Sequence, residues 1–457
     1  MRVPPPRIAN CLIGLTLALK PSVRLLEDAA GLEEPGGRRL RLSAAGPDQR
    51  AFLRALAAGG STEEALCASL ELRYLLALVE KEGWICHSLT QVGRVLATLE
   101  PLAREFRFQR AGEGTWRLSR FAWIRRLEGE AVLESPLGFG RVLLRDPELL
   151  ERVGRLCLPQ TPDSLDLPPA LARAFLSLLL SAGAVAPCAA GGQLPEDRDP
   201  VLRPWEFHDL LFHSRSRQGR HTEPVGGTFR FLGDLAPLPG LKPGQRPGIP
   251  LPEPTLPREV PPFFSVLDAR RSVRAPRRDP ITLAQLGTFL HYVARVRGLL
   301  PPDPGAGRAY EAVSGPCPGG GGLHEIELYL TVSRCAGLEP GFYHYAAGAH
   351  ALERWPDPEA AGQLSRHAAA AMGSPSAPDI LFTLAARFQR VAWKYQTLAY
   401  ALILKNTGVL YQQMYLVATA LGLAPCAIGT GDTQVFARAS GLGFTQESSV
   451  GEFALSG

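Results

Sequence analysis

Pro316-Cys317-Pro318-Gly319-Gly320-Gly321-Gly322-Leu323-His324 leads almost directly into Ile326-Glu327-Leu328-Tyr329-Leu330-Thr331-Val332. The second stretch reads as a buried strand. Four successive glycines just before a strand mean that the backbone passes close to something flat or bulky, with no side chain between. A second glycine-bearing turn, Ala427-Ile428-Gly429-Thr430-Gly431-Asp432, follows an apolar helical run from Ile403 to Leu421. It contains neither GK[ST] nor GxGxxG, so it is neither a P-loop nor a dinucleotide fingerprint. Upstream, Ala269-Arg270-Arg271-Ser272-Val273-Arg274 gathers three guanidinium groups and a hydroxyl ahead of a helix expected from about Leu283. Forked arginine donors and a serine hydroxyl suit a phosphate monoester. Taken alone, the cluster reads equally as a solvated basic loop.

Working toward the N-terminus, Pro237 to Pro262 holds ten prolines in 26 residues. Neither a helix nor a central strand tolerates that density, so an extended, polyproline-like segment is expected. Arg24 to Ser43 carries a hairpin signal around Pro35-Gly36-Gly37. Three helical patterns follow: Asp48 to Ala58, a segment capped by Ser61 with Glu64 in capping-box register, and Glu71 to Glu82. Trp84-Ile85-Cys86 then reads as a strand, completing a winged-helix-like module. Glu100 to Ala190 repeats the theme, with strands at Trp116 to Leu127, Glu130 to Leu133 and Arg141 to Leu144. Its helices are expected at Pro147 to Leu156 and Pro169 to Ser181. The expected organisation is 1–99 and 100–190 as two small related domains, 191–262 as a proline-rich linker, and 263–457 as the chemical unit.

The 457 residues carry 49 basic and 44 acidic side chains, a net charge of +5, which implies no polyanion partner. The third helix of the first module sets Arg73 and Lys81 against Glu71, Glu80 and Glu82, a surface that phosphate backbones would be repelled by; no nucleic acid is expected. A winged helix without that charge suits an extended peptide added as a strand. The eight cysteines fall in no zinc-like spacing and read as reduced thiols of a cytoplasmic protein, with no metal site. The apolar run Ile8 to Leu19 has no small-residue cleavage site after it, and Ala174 to Ala190 is broken by Gly183 and Pro187. No membrane span is expected.

The ordered motifs RRSVR, PGGGGLHEIELYL, GFYHY, WKYQTLAYALILKNTGVLYQQMYLVATALGL and CAIGTGD resemble the SagB-type branch of the flavin-dependent nitroreductase superfamily, over about Phe263 to Gly457. LSRFAWIRRLEGEAVLESP and LRPWEFHDLLFHSRSRQGRHTEPVGGTFRF resemble the cyanobactin oxidase type of azoline dehydrogenase, whose N-terminal part is a pair of winged-helix peptide clamps. The resemblance implies an α+β fold with a mixed or antiparallel sheet flanked by helices, FMN as cofactor, and oxidation of thiazolines or oxazolines in a ribosomally made peptide. Oxygen is the implied acceptor. It places Arg270, Arg271, Ser272 and Arg274 on the flavin phosphate, and Pro318, Gly319, Gly320 and Gly321 along the isoalloxazine. Ile428, Gly429 and Thr430 fall near N5, and Gln412 at the interface of a homodimer. Gly319 stands where the family usually has Ser, and Gln413 where it has Asn.

The same resemblance assigns proton transfer to Lys394 and Tyr395. The residues agree in kind: a lysine among apolar Val391, Ala392 and Trp393 is a candidate base with the tyrosine as partner acid, and a snorkelling lysine is the plain alternative. The partners implied are a heterocyclised precursor peptide and a cyclase. Two other readings stay open: a general nicotinamide-consuming nitroreductase, and an idle scaffold that only binds peptide.

Overall fold

The computed structural model describes residues 13–189, 191–355 and 358–457. The start of the expected Ile8 to Leu19 run, and Cys11, lie outside them. The chain forms two compact units that meet at Glu223/Pro224.

In the first unit, seven antiparallel strands run in the order Ser61–Thr62, Ile13–Leu19, Ile85–Gln91, Arg94–Pro101, Gly140–Leu144, Glu130–Glu134, Trp123–Leu127. The predicted hairpin is present as Gly31–Glu33 against Arg39–Arg41, its turn made possible by positive φ at Gly36 and Gly37. Helices Pro47–Ala58 and Leu70–Lys81 bury Phe52, Leu53, Leu56, Leu75, Leu76 and Val79 against Leu17 and Trp84, the apolar faces that their spacing predicts. The short helix between them is capped by Thr62, whose hydroxyl accepts from the Ala65 amide, and not by Ser61. Ser61 and Thr62 both pair with the strand Ile13–Leu19, and the helix starts one residue later than expected, at Glu63.

The expected division at Leu99/Glu100 falls inside the strand Arg94–Pro101. That strand pairs with Ile85–Gln91 on one side and with Gly140–Leu144 on the other. Both N-terminal segments therefore share one hydrogen-bonded sheet and one compact unit. The stretch 191–223, expected as linker, belongs to it too and includes the helix Phe207–Arg215.

In the second unit the sheet order is Gly248–Pro250, Ala351–Trp355, Gly341–Ala346, Ile326–Val332, Ile380–Arg387, Glu447–Ser456, Ala424–Ile428, all antiparallel. Successive strand side chains point to opposite faces, so Leu328 and Leu330 bury under helices Leu283–Ala294 and Ala399–Ala420. Tyr329 turns to the other face, against helices Pro358–Met372 and Thr433–Ser440.

The proline-rich segment is extended, as its composition demands, but it is sewn into this unit. Gly248–Pro250 forms the sheet edge. The buried Arg390 donates to the Leu238 carbonyl, and Arg387 donates to the carbonyls of Pro239 and Gly240. Lys242 reaches Tyr329 and Glu447. Proline lacks an N–H but keeps its carbonyl, so such a chain can satisfy buried guanidiniums where a strand ladder could not form.

Candidate active site

The four glycines form a tight turn, Gly320–Gly322, with positive φ at Gly321 and Gly322. A Cβ on Gly320 would come within 2.7 Å of Leu402, and one on Gly321 within 2.5 Å of Lys394 Nζ and 2.7 Å of Tyr395 Oη. The absence of side chains there makes room for the Lys394 and Tyr395 head groups, which the sequence had singled out separately. The fold brings them in by a reversal. Strand Ile380–Arg387 passes into the short helix Phe388–Ala392, and the chain then pairs through Tyr395–Gln396 with Gly226–Gly227. Lys394 Nζ donates to Tyr310 Oη, which donates to the Gly321 carbonyl at 2.7 Å. Lys394 Nζ also lies 5.8 Å from the Phe229 ring centre.

The other edge of the turn is held by Asn406, whose Oδ1 accepts from the Gly320 amide at 3.2 Å. Its Nδ2 donates to Glu325 Oε1 at 2.8 Å. Glu325 is fully buried with its second oxygen unpartnered, and burial pushes its carboxyl upward. Burial, with the nearby Arg390, holds His324 below the usual histidine range.

The arginine cluster lies against the far half of the same helix, Ala399–Ala420. Ser272 Oγ and Tyr415 Oη are hydrogen-bonded at 2.7 Å, and Tyr415 Oη accepts the Ala427 amide at 2.8 Å. Val273 N donates to the Pro425 carbonyl at 2.8 Å, and the Arg270 guanidinium lies 5.1 Å from the centre of the Tyr415 ring. RRSVR is thus stitched to the strand that runs into Ile428-Gly429-Thr430. Gly429 and Thr430 are exposed and Ile428 is buried. Arg271 and Arg274 are exposed, and among the described residues none of the three arginines forms an ion pair with a carboxylate. A guanidinium cluster without counter-ions, beside a hydroxyl and a glycine-bearing turn, fits the phosphate end of a flavin mononucleotide.

The two halves of the candidate site are not in contact within one chain: Asn406 and Tyr415 stand about 13 Å apart along the helix at ~1.5 Å per residue. Gln412 touches neither half. It is exposed, on the helix face that also exposes Leu404, Gly408 and Val409. Tyr310, Glu325, Asn406 and Tyr415 were missed from the sequence. For Asn406 and Tyr415 the available signal was a polar group inside an otherwise apolar helix run; Tyr310 and Glu325 carried none.

Glu452 lies under the second turn, where a Cβ on Gly431 would collide with its carboxylate. Burial, with Asp432 nearby, pushes the Glu452 carboxyl up to about 7. The native state then holds a proton that the unfolded chain has already released. Stability from this group is present below about pH 4.5 and lost as the pH rises through about 7. Glu452→Gln should match wild type below that window and exceed it above, by up to ~3 kcal/mol at ~1.4 kcal/mol per unit. Thermal melts across the window decide this; parallel pH dependence in both proteins would refute it.

Residues 267–453 match the nitroreductase family and residues 116–222 match the cyanobactin oxidase ThcOx. A protein of Methanocaldococcus jannaschii that carries the nitroreductase name is 30% identical over 164 residues, 36% of this chain and 76% of that relative. Among solved structures, a nitroreductase-named protein of Ralstonia eutropha is 21% identical, covering 51% of this chain and 96% of that one, with a TM-score of 0.36. The E. coli microcin synthetase McbBCD complex with truncated pro-MccB17 bound is 18% identical over 52% of this chain and 84% of that one, with a TM-score of 0.34. By class, the chain is an α+β oxidoreductase. It belongs to the nitroreductase family. Among the described residues no helix is long and apolar enough to cross a membrane, and no group of three or more His, Cys, Asp or Glu could hold a metal.

Proposed function

We propose that this chain binds FMN and dehydrogenates thiazoline or oxazoline rings to azoles in a ribosomally made peptide. The observation that carries the reading is the convergence of Lys394 and Tyr395 on the glycine turn, in a chain that joins a nitroreductase region to a cyanobactin oxidase segment. Arg270, Arg271, Ser272 and Arg274 hold the phosphate, and Pro318 to Gly321 with Ile428 to Thr430 flank the ring. When bound, FMN supplies the hydride acceptor, with oxygen as the final oxidant. Lys394 takes the acidic ring proton of the azoline, and Tyr395, whose hydroxyl stands at the same turn, is the partner acid. The half-buried turn and the Phe229 wall restrict water around the amine.

The first unit holds the leader as a winged-helix-like clamp. Strand Arg39–Arg41 lies at an edge of its three-stranded sheet, where an extended peptide can add as a further strand. Tethering there raises the effective concentration of a loosely bound core peptide. A cyclase that makes the azoline is the natural partner. The test is azole formation from an azoline-bearing leader–core peptide, read as the mass loss of two hydrogens under air. Rapid bleaching of the flavin by NADPH, with no peptide oxidation, would favour the general nitroreductase reading instead.

The flavin site is completed by a second copy. Leu404 and Val409 are exposed on the long helix beside Gln412, and Phe263, Phe264 and Leu267 are exposed on the helix Phe263–Ala269 that packs against it, an apolar surface suited to a second copy. Leu404→Asp with Val409→Asp should give a monomer that has lost flavin. Sedimentation showing a wild-type monomer, or a fully flavin-loaded monomeric variant, would sink the dimer.

A further inference from the structure

We propose that Tyr310 is a positioning residue for Lys394: its hydroxyl acts only through that amine, by fixing it against the glycine turn. The inference rests on the reading of Lys394 as the base. Tyr310 lies in an irregular stretch well ahead of the glycines, and nothing in the local sequence marks it. The fold buries it to 4% exposure, with its ring against Trp393 and Phe229. Trp393 is itself pinned, its indole N–H donating to the Leu235 carbonyl at 2.6 Å. The phenol therefore has a fixed place from which to hold a flexible lysine.

The polarity of the hydrogen bonds suits catalysis. The one Tyr310 proton goes to the Gly321 carbonyl, so toward Lys394 the phenol oxygen can only accept. A neutral lysine that donates one N–H to Tyr310 keeps its lone pair free. With the opposite polarity, a tyrosine O–H donating to the amine, that lone pair would be occupied and the base blocked. The chain Lys394 to Tyr310 to Gly321 carbonyl thus orients the nitrogen beside Tyr395 Oη without consuming its basicity. Holding a flexible lysine in one position otherwise costs it rotamer freedom, which this fixed acceptor offsets.

The experiment uses the full-length, flavin-loaded protein as wild type, Tyr310→Phe, Lys394→Ala and the double variant. Tyr310→Phe keeps the packed ring and removes only the hydroxyl. Two readouts are needed: steady-state kcat and KM on one azoline peptide, and the rate at which acetic anhydride acetylates Lys394, resolved by peptide mass spectrometry. The chain has five lysines, so Lys20, Lys81, Lys242 and Lys405 serve as internal references. Tyr310→Phe should lower kcat about 10- to 100-fold, the scale of a misplacement of about 1 Å, with KM and flavin content unchanged. Lys394 should acetylate several-fold faster while the reference lysines do not change. The double variant should be no slower than Lys394→Ala, because the hydroxyl acts only through that amine. Wild-type kcat and acetylation in Tyr310→Phe, beside a crippled Lys394→Ala, would overturn the role of Tyr310 alone; so would fully additive losses in the double variant. An unimpaired Lys394→Ala would bring down the base assignment and with it the catalytic part of the proposal.

Discussion

Lys394→Ala is expected to lower kcat for azole formation by about 10² to 10⁴, the cost of losing a general base, with KM and flavin content unchanged. The geometry says why the loss should fall on kcat. Lys394 Nζ sits at the glycine turn, within 2.5 Å of where a Gly321 side chain would begin, and away from the arginine cluster on the far half of the helix. Truncation strands no donor: Tyr310 keeps its bond to the Gly321 carbonyl, and the Lys394 backbone remains tied through its carbonyl to Phe229 N and through its amide to Val391. Stability should therefore change little, and a melting curve beside the kinetics separates a lost base from a lost fold. Lys394→Ala with wild-type kcat would remove lysine from the mechanism and leave the snorkelling reading.

The second large effect is on flavin retention. Arg270→Ala with Arg274→Ala should yield a folded protein that purifies colourless. Charge-assisted hydrogen bonds contribute about 1.5 to 3 kcal/mol each, so losing two weakens binding by ~3 to 6 kcal/mol, or about 10² to 10⁴ in Kd. The fold should tolerate the change: Arg274 is exposed, Arg270 loses only its place over the Tyr415 ring, and the Ser272 and Val273 bonds to the framework persist. Arg277 is the control, because its guanidinium is already taken by the Gly422 carbonyl at 2.6 Å, and Arg277→Ala should keep its flavin. Absorbance of the purified proteins and titration with free FMN measure the difference. Full occupancy in the double variant would show that the phosphate lies elsewhere.

Much of this was legible in the sequence because it is local. Alternation in Ile326 to Val332, the apolar faces of the helices near Asp48 to Ala58 and Glu71 to Glu82, and the hairpin at Pro35-Gly36-Gly37 all depend on neighbours a few residues away. The boundary at Leu99/Glu100 was not legible, since Arg94–Pro101 takes one partner from the adjacent hairpin and the other from Gly140–Leu144, some forty residues on. Nor could the capping pattern distinguish Ser61 from Thr62: both pair with the strand Ile13–Leu19, and the helix starts only after Thr62, whose hydroxyl then reaches the Ala65 amide.

The sequence by itself determined the kinds of element, the extended state of the Pro237 to Pro262 segment and the residues worth watching: a glycine run, an arginine cluster and a lysine–tyrosine pair. Only the tertiary structure decided what those groups meet. It threads the proline-rich chain past Arg387 and Arg390 so that its carbonyls serve buried guanidiniums. It stands the glycine turn against Lys394 and Tyr395, and it inserts Tyr310 and Asn406 to hold that turn from two sides. The physical reason is range. Backbone preference and hydrophobic period act over a few residues, whereas a buried polar group must find a partner wherever the chain brings one, and that partner can be a hundred positions away.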